Sequence, residues 1–168
     1  MDIDALLINA VTAYLREQLA GQILVQVMGR KDQSVIGNTG DASLPSDDSW
    51  INVYPLNIDP VRGRGSFVRS GIMQINCFAH FASPDRPDVK TNQPWITAGK
   101  VTNLLAQQSL CLEDNAEELS ACVRFQDPRK QYIDESQFAA GQGKFETNNV
   151  HQVVCDFEFQ MNGTRKGV

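Results

Sequence analysis

Hydrophobic residues recur with a helical period at the start of the chain. Ile3, Leu7, Ala10, Val11, Tyr14, Leu15 and Leu19 fall at i, i+3, i+4, i+7 spacing, with Asn9, Thr12, Arg16 and Glu17 mostly elsewhere. At 3.6 residues per turn this spacing gathers the apolar side chains into one stripe, and it predicts an amphipathic helix over residues 3–19. Asp2 or Asp4 can meet the free N–H groups at its start, and Gly21 offers the left-handed backbone that ends it.

The pattern then changes to period two, in which successive side chains point to opposite faces of a strand. Residues 22–28 place Ile23, Val25 and Val27 on one face, and residues 50–56 read as a second strand. Pro55 cannot donate to a ladder, so it marks a strand end or an edge. The longest strand signal covers residues 67–82. Met73, Ile75, Cys77, Ala79 and Phe81 form a continuous apolar face, and Ile72, Gln74, Asn76, Phe78 and His80 form a mixed one.

Ser83-Pro84-Asp85-Arg86-Pro87 breaks the chain, and a second helix is predicted to open near Thr91 or Asn92 with Pro94 close to its first position. Its apolar side is Trp95, Ala98, Val101, Leu104, Leu105 and Gln108. Residues 119–126 put Leu119, Ala121, Val123 and Phe125 on one face. Residues 150–161 give the clearest alternation of all, with Val153, Cys155, Phe157, Phe159 and Met161 opposite Gln152, Val154, Asp156, Glu158 and Gln160.

Runs of strands joined without crossover helices favour α+β over a parallel sheet. The predicted fold is a mainly antiparallel β-sheet packed on one side by two helices, in the order α-β-β-β-α-β-β. The other side of the sheet meets water or another subunit. The 168 residues suit a single domain over 1–168. Two stretches without a period, 29–49 and 127–149, are read as long loops, the second holding Gly141-Gln142-Gly143 and a short hairpin or an arm.

Charge narrows the partners. The net charge is −5, whereas proteins that wrap nucleic acid or lie on anionic lipid need a cationic face. Two acids in Met1-Asp2-Ile3-Asp4 oppose a secretory signal, and no apolar run approaches the roughly 18 residues of a membrane span, so a soluble intracellular protein is expected. Cys77, Cys111, Cys122 and Cys155 show neither C-x-x-C spacing nor a dense secreted framework, which predicts reduced, mostly buried thiols. The sequon Asn162-Gly163-Thr164 would matter only in a secreted protein.

The residues present no catalytic, cofactor or metal signature. Gly141-Gln142-Gly143-Lys144 lacks the first glycine and the final hydroxyl residue of a phosphate loop. Arg62-Gly63-Arg64-Gly65 has no helix after it to bind an anion and reads as a basic turn. Cys77 and His80 would point to opposite faces of a strand, and His151 and Cys155 stand about 13 Å apart at ~3.3 Å per residue. Neither histidine lies in a nucleophile motif, so the chain is expected not to be an enzyme. Asp156 and Glu158 put like charges two apart on the outward strand face, a wet surface that discourages stray pairing or a functional acidic one.

The order of elements carries one likeness. A leading amphipathic helix, an early strand, Trp50-Ile51-Asn52-Val53-Tyr54-Pro55, and a long strand through Gly71-Ile72-Met73-Gln74-Ile75-Asn76-Cys77-Phe78-Ala79 come first. A helix over 96–110 and the closing alternating strand over 150–161 follow. This layout resembles the tail terminator, or tail completion, proteins of long-tailed bacteriophages, by pattern over nearly the whole chain. The resemblance implies a homo-oligomeric ring, usually a hexamer, that caps the tail tube, stops its polymerisation and meets the head-tail connector of the neck. It implies a virion location after assembly in the host cytoplasm, with tail tube protein and neck protein as partners and DNA passing through unread.

On that expectation Arg62, Arg64 and Arg69 contact an acidic neighbour in the ring or neck, and Asp156 and Glu158 are acids of the lumen or an interface. A head-completion or connector protein is the alternative of the same class. A small-molecule-binding or hydrolytic α+β domain is the alternative from another class, and it needs a convergent polar pocket.

Overall fold

The computed structural model describes residues 3–27, 49–56, 65–82, 84, 89–115, 118–134 and 150–166, with only the backbone at 26, 27, 55 and 56. Its elements are α1 (Ile3–Gln18), β1 (Leu24–Val27), β2 (Ser49–Leu56), β3 (Gly65–His80) and α2 (Gln93–Leu105). β4 (Ser109–Asp114), β5 (Leu119–Phe125), β6 (Arg129–Asp134) and β7 (Val150–Arg165) follow. Of the predicted loops 29–49 and 127–149, residues 29–48 and 135–149 lie outside the described residues, as does the basic turn with Arg62 and Arg64, while Ser49 opens β2 and residues 129–134 form β6.

The stripe predicted for α1 is its buried face: Ile3, Leu7, Val11 and Leu15 are all buried. The helix ends as its sequence requires. Gly21 takes a φ of 75°, a region that costs other residues energy, and Ile23 N–H reaches back to the Leu19 carbonyl. Tyr14 donates to the Leu104 carbonyl at 3.1 Å and ties α1 to α2.

The strands form one sheet in the order β1-β2-β3-β7-β5-β4, with β6 also paired to β7. Two expectations need correction. The sheet is mixed, because β1 pairs parallel to β2 with Leu24 opposite Trp50. The order is α-β-β-β-α-β-β-β-β, because β4 and β6 add to the predicted strands.

β4 starts within the predicted second helix (96–110) and runs on past its end to Asp114. That helix stops at Leu105, where Ala106 turns extended and Gln107 adopts a φ of 62°. β6 reads Arg-Lys-Gln-Tyr-Ile-Asp, mostly exposed and without hydrophobic alternation, so nothing local announces it. Pro55, expected at a strand end or edge, lies in the interior β2 but two residues past Val53, the last residue β1 pairs with.

Odd-numbered residues of β2, β3, β5 and β7 face the helices. Ile51, Val53, Met73, Ile75, Cys77, Val123, Phe125, Val153, Cys155, Phe157 and Met161 join the helical stripes in one core. Phe125 anchors it, edge-on to Phe157 at 6.2 Å and tilted against Phe159 at 5.9 Å. α1 touches β1 and β2 near one edge of the sheet and β4 at the other. The sheet therefore curls around this helix, which makes the helix side concave and the opposite side convex.

Candidate interaction face

The convex face is built by the even-numbered residues of the long β3–β7 pair, which is in register from Gly65 opposite Arg165 to His80 opposite Val150. Where residues 76–80 meet 150–154 this face is closed: Trp50, Phe78 and Val150 are buried, and Trp50 stacks on Phe78 at 5.2 Å with 4° between the rings. Toward the other end it is open. Ser66, Val68, Ser70, Glu158, Gln160, Asn162 and Thr164 are exposed, as are Ser120, Cys122 and Arg124 on the adjacent β5. This patch, three strands wide, is neutral and polar apart from Val68 and a few charges.

The predicted acids lie on this face, and both are engaged. Gln74 donates to Asp156 at 3.2 Å, and Arg129 lies 3.6 Å from Glu158 as an exposed pair. Two carboxylates tempered in this way do not make a bare acidic field. Arg69, expected at an interface, is 4% exposed on the helix side and forms an ion pair with Asp4 of α1 at 3.0 Å. Within the protomer its charge holds the helix start against β3.

Arg129 reaches Glu158 because of a bulge. β5 sets Phe125 opposite Phe159, whereas β6 sets Arg129 opposite Asp156, so residues 126–128 stand against only 157–158. The extra residue, beside Pro128 with its missing N–H, reverses the parity of β6. Tyr132 therefore faces the helix side, opposite Val153. There its hydroxyl lies 3.1 Å from His151 Nδ1, and its ring is stacked with Trp95 at 6.5 Å. Phe81 stacks on His151 at 4.2 Å. Trp95, predicted on the buried side of the second helix, is 45% exposed in this stack.

Burial holds the His151 imidazole below its ordinary range, against the opposing pull of Asp134 and the His80 backbone. Burial and Asp134 push the Tyr132 phenol up.

The cysteines divide into two pairs. Cys77 and Cys155 are buried on the helix side, and the hydrogen bond between them, with burial, pushes the Cys77 thiol well up. Cys111 and Cys122 instead stand directly opposite each other on β4 and β5, exposed, with Sγ atoms 2.9 Å apart. The expectation of mostly buried thiols fails for this pair, because β4 carries no strand signal of its own and its register with β5 decides where the two side chains point. An Asp114-Asn115 turn joining two short strands was the available signal.

Among the described residues no group of three or more His, Cys, Asp or Glu could hold a metal ion, and no helix is long and apolar enough to cross a membrane. A shallow polar cleft of about 520 Å³ lies beside the bulge, lined by Gln107, Arg124, Phe125, Gln126, Asp127 and Gln160. No family model and no curated protein matches this sequence.

Proposed function

We propose that the chain is a structural subunit of a phage tail: a ring-forming terminator, as a hexamer, that caps the tail tube and joins it to the neck. The observation that carries this reading is the sheet's division of labour. Its concave side wraps a helix and makes the core, while its convex side keeps a polar, three-strand patch exposed for a large partner. Such a patch suits a broad protein contact better than a small ligand, which needs a concave, mostly apolar pocket. The order of elements, a leading helix and a long closing strand, adds the likeness to tail terminators.

In this reading Asp156, Glu158 and the open polar patch line the lumen or a subunit contact. A wall of amides, hydroxyls and engaged acids offers DNA phosphates little to bind, so the duplex slides past. Arg62 and Arg64 contact an acidic neighbour in the ring or neck, and Arg69 serves the protomer itself.

Electron microscopy of tail tubes assembled with the labelled protein tests this. Density at the head-proximal end supports the reading, and label along the tube or on the capsid overturns it. Light scattering supplies the stoichiometry, since a hexamer weighs six times the 18.6 kDa of one chain.

A further inference from the structure

The two cysteine pairs are set in opposite surroundings. Cys77 and Cys155 are sealed beneath the helices, whereas Cys111 and Cys122 lie in the open on the convex side near the rim of the sheet. The hairpin register makes them direct cross-strand partners. Directly opposed residues on antiparallel strands hold their Cα atoms about 4.5–5.5 Å apart, inside the roughly 4.4–6.8 Å that a disulfide spans. With Sγ atoms 2.9 Å apart, the sulfurs need to close by under roughly 1 Å to reach bonding distance. The hydrogen bond between the sulfurs pushes the Cys122 thiol up, with smaller help from burial and Glu113.

We propose that Cys111 and Cys122 form a thiol–disulfide exchange site, which a small disulfide such as oxidised glutathione converts to an intrachain cross-strand disulfide. This goes beyond the structural reading above and does not depend on it. One cysteine, as its thiolate, attacks a glutathione sulfur; the glutathione S–S bond breaks and one glutathione leaves. The second cysteine sulfur attacks the resulting mixed disulfide and releases the other glutathione. In sum, two cysteine S–H bonds and one S–S bond break, and one protein S–S bond and two glutathione S–H bonds form. The protein gives up two electrons and two protons to glutathione. The second step is intramolecular between neighbouring sulfurs, so the mixed species does not accumulate. The product pins β4 to β5 at the rim.

The full-length folded protein is incubated with oxidised glutathione, quenched with acid, and examined by intact mass, thiol counting after denaturation, and peptide mapping. The expected product has lost two hydrogens and two of its four thiols, and its bond maps to Cys111–Cys122. Cys111→Ser, whose far-ultraviolet circular dichroism should match the parent, retains one glutathione on Cys122. Wild-type protein that keeps all four thiols, that retains glutathione, or that bonds through Cys77–Cys155 or between two chains overturns the proposal.

Discussion

The two ends of the β3–β7 pair share strands, pairing and length, yet differ in what surrounds them. Residues 150–155 of β7 are buried whatever their parity, and Cys77, Phe78 and Ala79 opposite them are buried too. At the other end the same strand alternates: Phe157, Phe159 and Met161 are buried, and Glu158, Gln160 and Asn162 are exposed. Alternation therefore specifies which side chains point away from the helices. It does not specify whether that outward side is wet.

The comparison is sharpest for aromatic truncations. Phe125→Ala opens a cavity beneath Phe157 and Phe159 and should cost about 3–5 kcal/mol in urea unfolding. Phe78→Ala removes an outward residue at the closed end, with its stack on Trp50, and should cost about 3 kcal/mol. Gln160→Ala, equally outward but at the open end, should stay within about 0.5 kcal/mol of the parent. Equal costs for Phe78→Ala and Gln160→Ala would abolish the distinction between the two ends.

Next in size is Arg69→Ala. It removes a buried guanidinium and its ion pair with the half-buried Asp4, which water partly screens, so a loss of about 1–2 kcal/mol is expected. A protein as stable as the parent would return Arg69 to the list of interface residues.

Gly163→Ala is comparable in size. The added Cβ would lie 2.6 Å from the Phe67 ring and 2.7 Å from both the Ala121 Cβ and the Ser120 carbonyl. Because a backbone atom is among these neighbours, the strand must shift, at a cost of about 1–3 kcal/mol in the urea midpoint. Gly163 thus has a packing role that its sequon did not announce: Phe67, directly opposite on β3, lies over it.

A smaller effect separates the ends by pH. His151 at the closed end is held neutral, with a pKa below its unfolded value. Its contribution to stability is complete above the unfolded value of about 6.5 and falls as the pH drops through that range, because the unfolded chain then binds the proton more readily. The urea midpoint of the parent should fall between pH 8 and pH 5 by more than that of His151→Gln. Parallel pH profiles would show that the site does not resist protonation.

Most of the core could be read without coordinates. The stripe on α1, its glycine stop, the two long strands and the inward sets Met73 to Ala79 and Val153 to Met161 all follow from local periodicity. The side of the sheet that carries Asp156 and Glu158 was equally legible. The state of the candidate residues was not. Gln74 meets Asp156 across 82 positions of sequence, and Arg69 meets Asp4 through a helix folded back on the sheet. Neither approach leaves a mark on the neighbouring residues.

What the sequence alone determined was the identity and facing of its strongly patterned elements, because a helix or strand face is set by side-chain period within a few turns or pleats. Tertiary structure decided the rest. The polar β6 is a strand only because β7 supplies its ladder, and the bulge beside Pro128 turns Tyr132 toward His151. The cysteines eleven apart meet only because a hairpin register opposes them. In each case the energy comes from backbone pairing or packing with a distant partner, which no local pattern encodes.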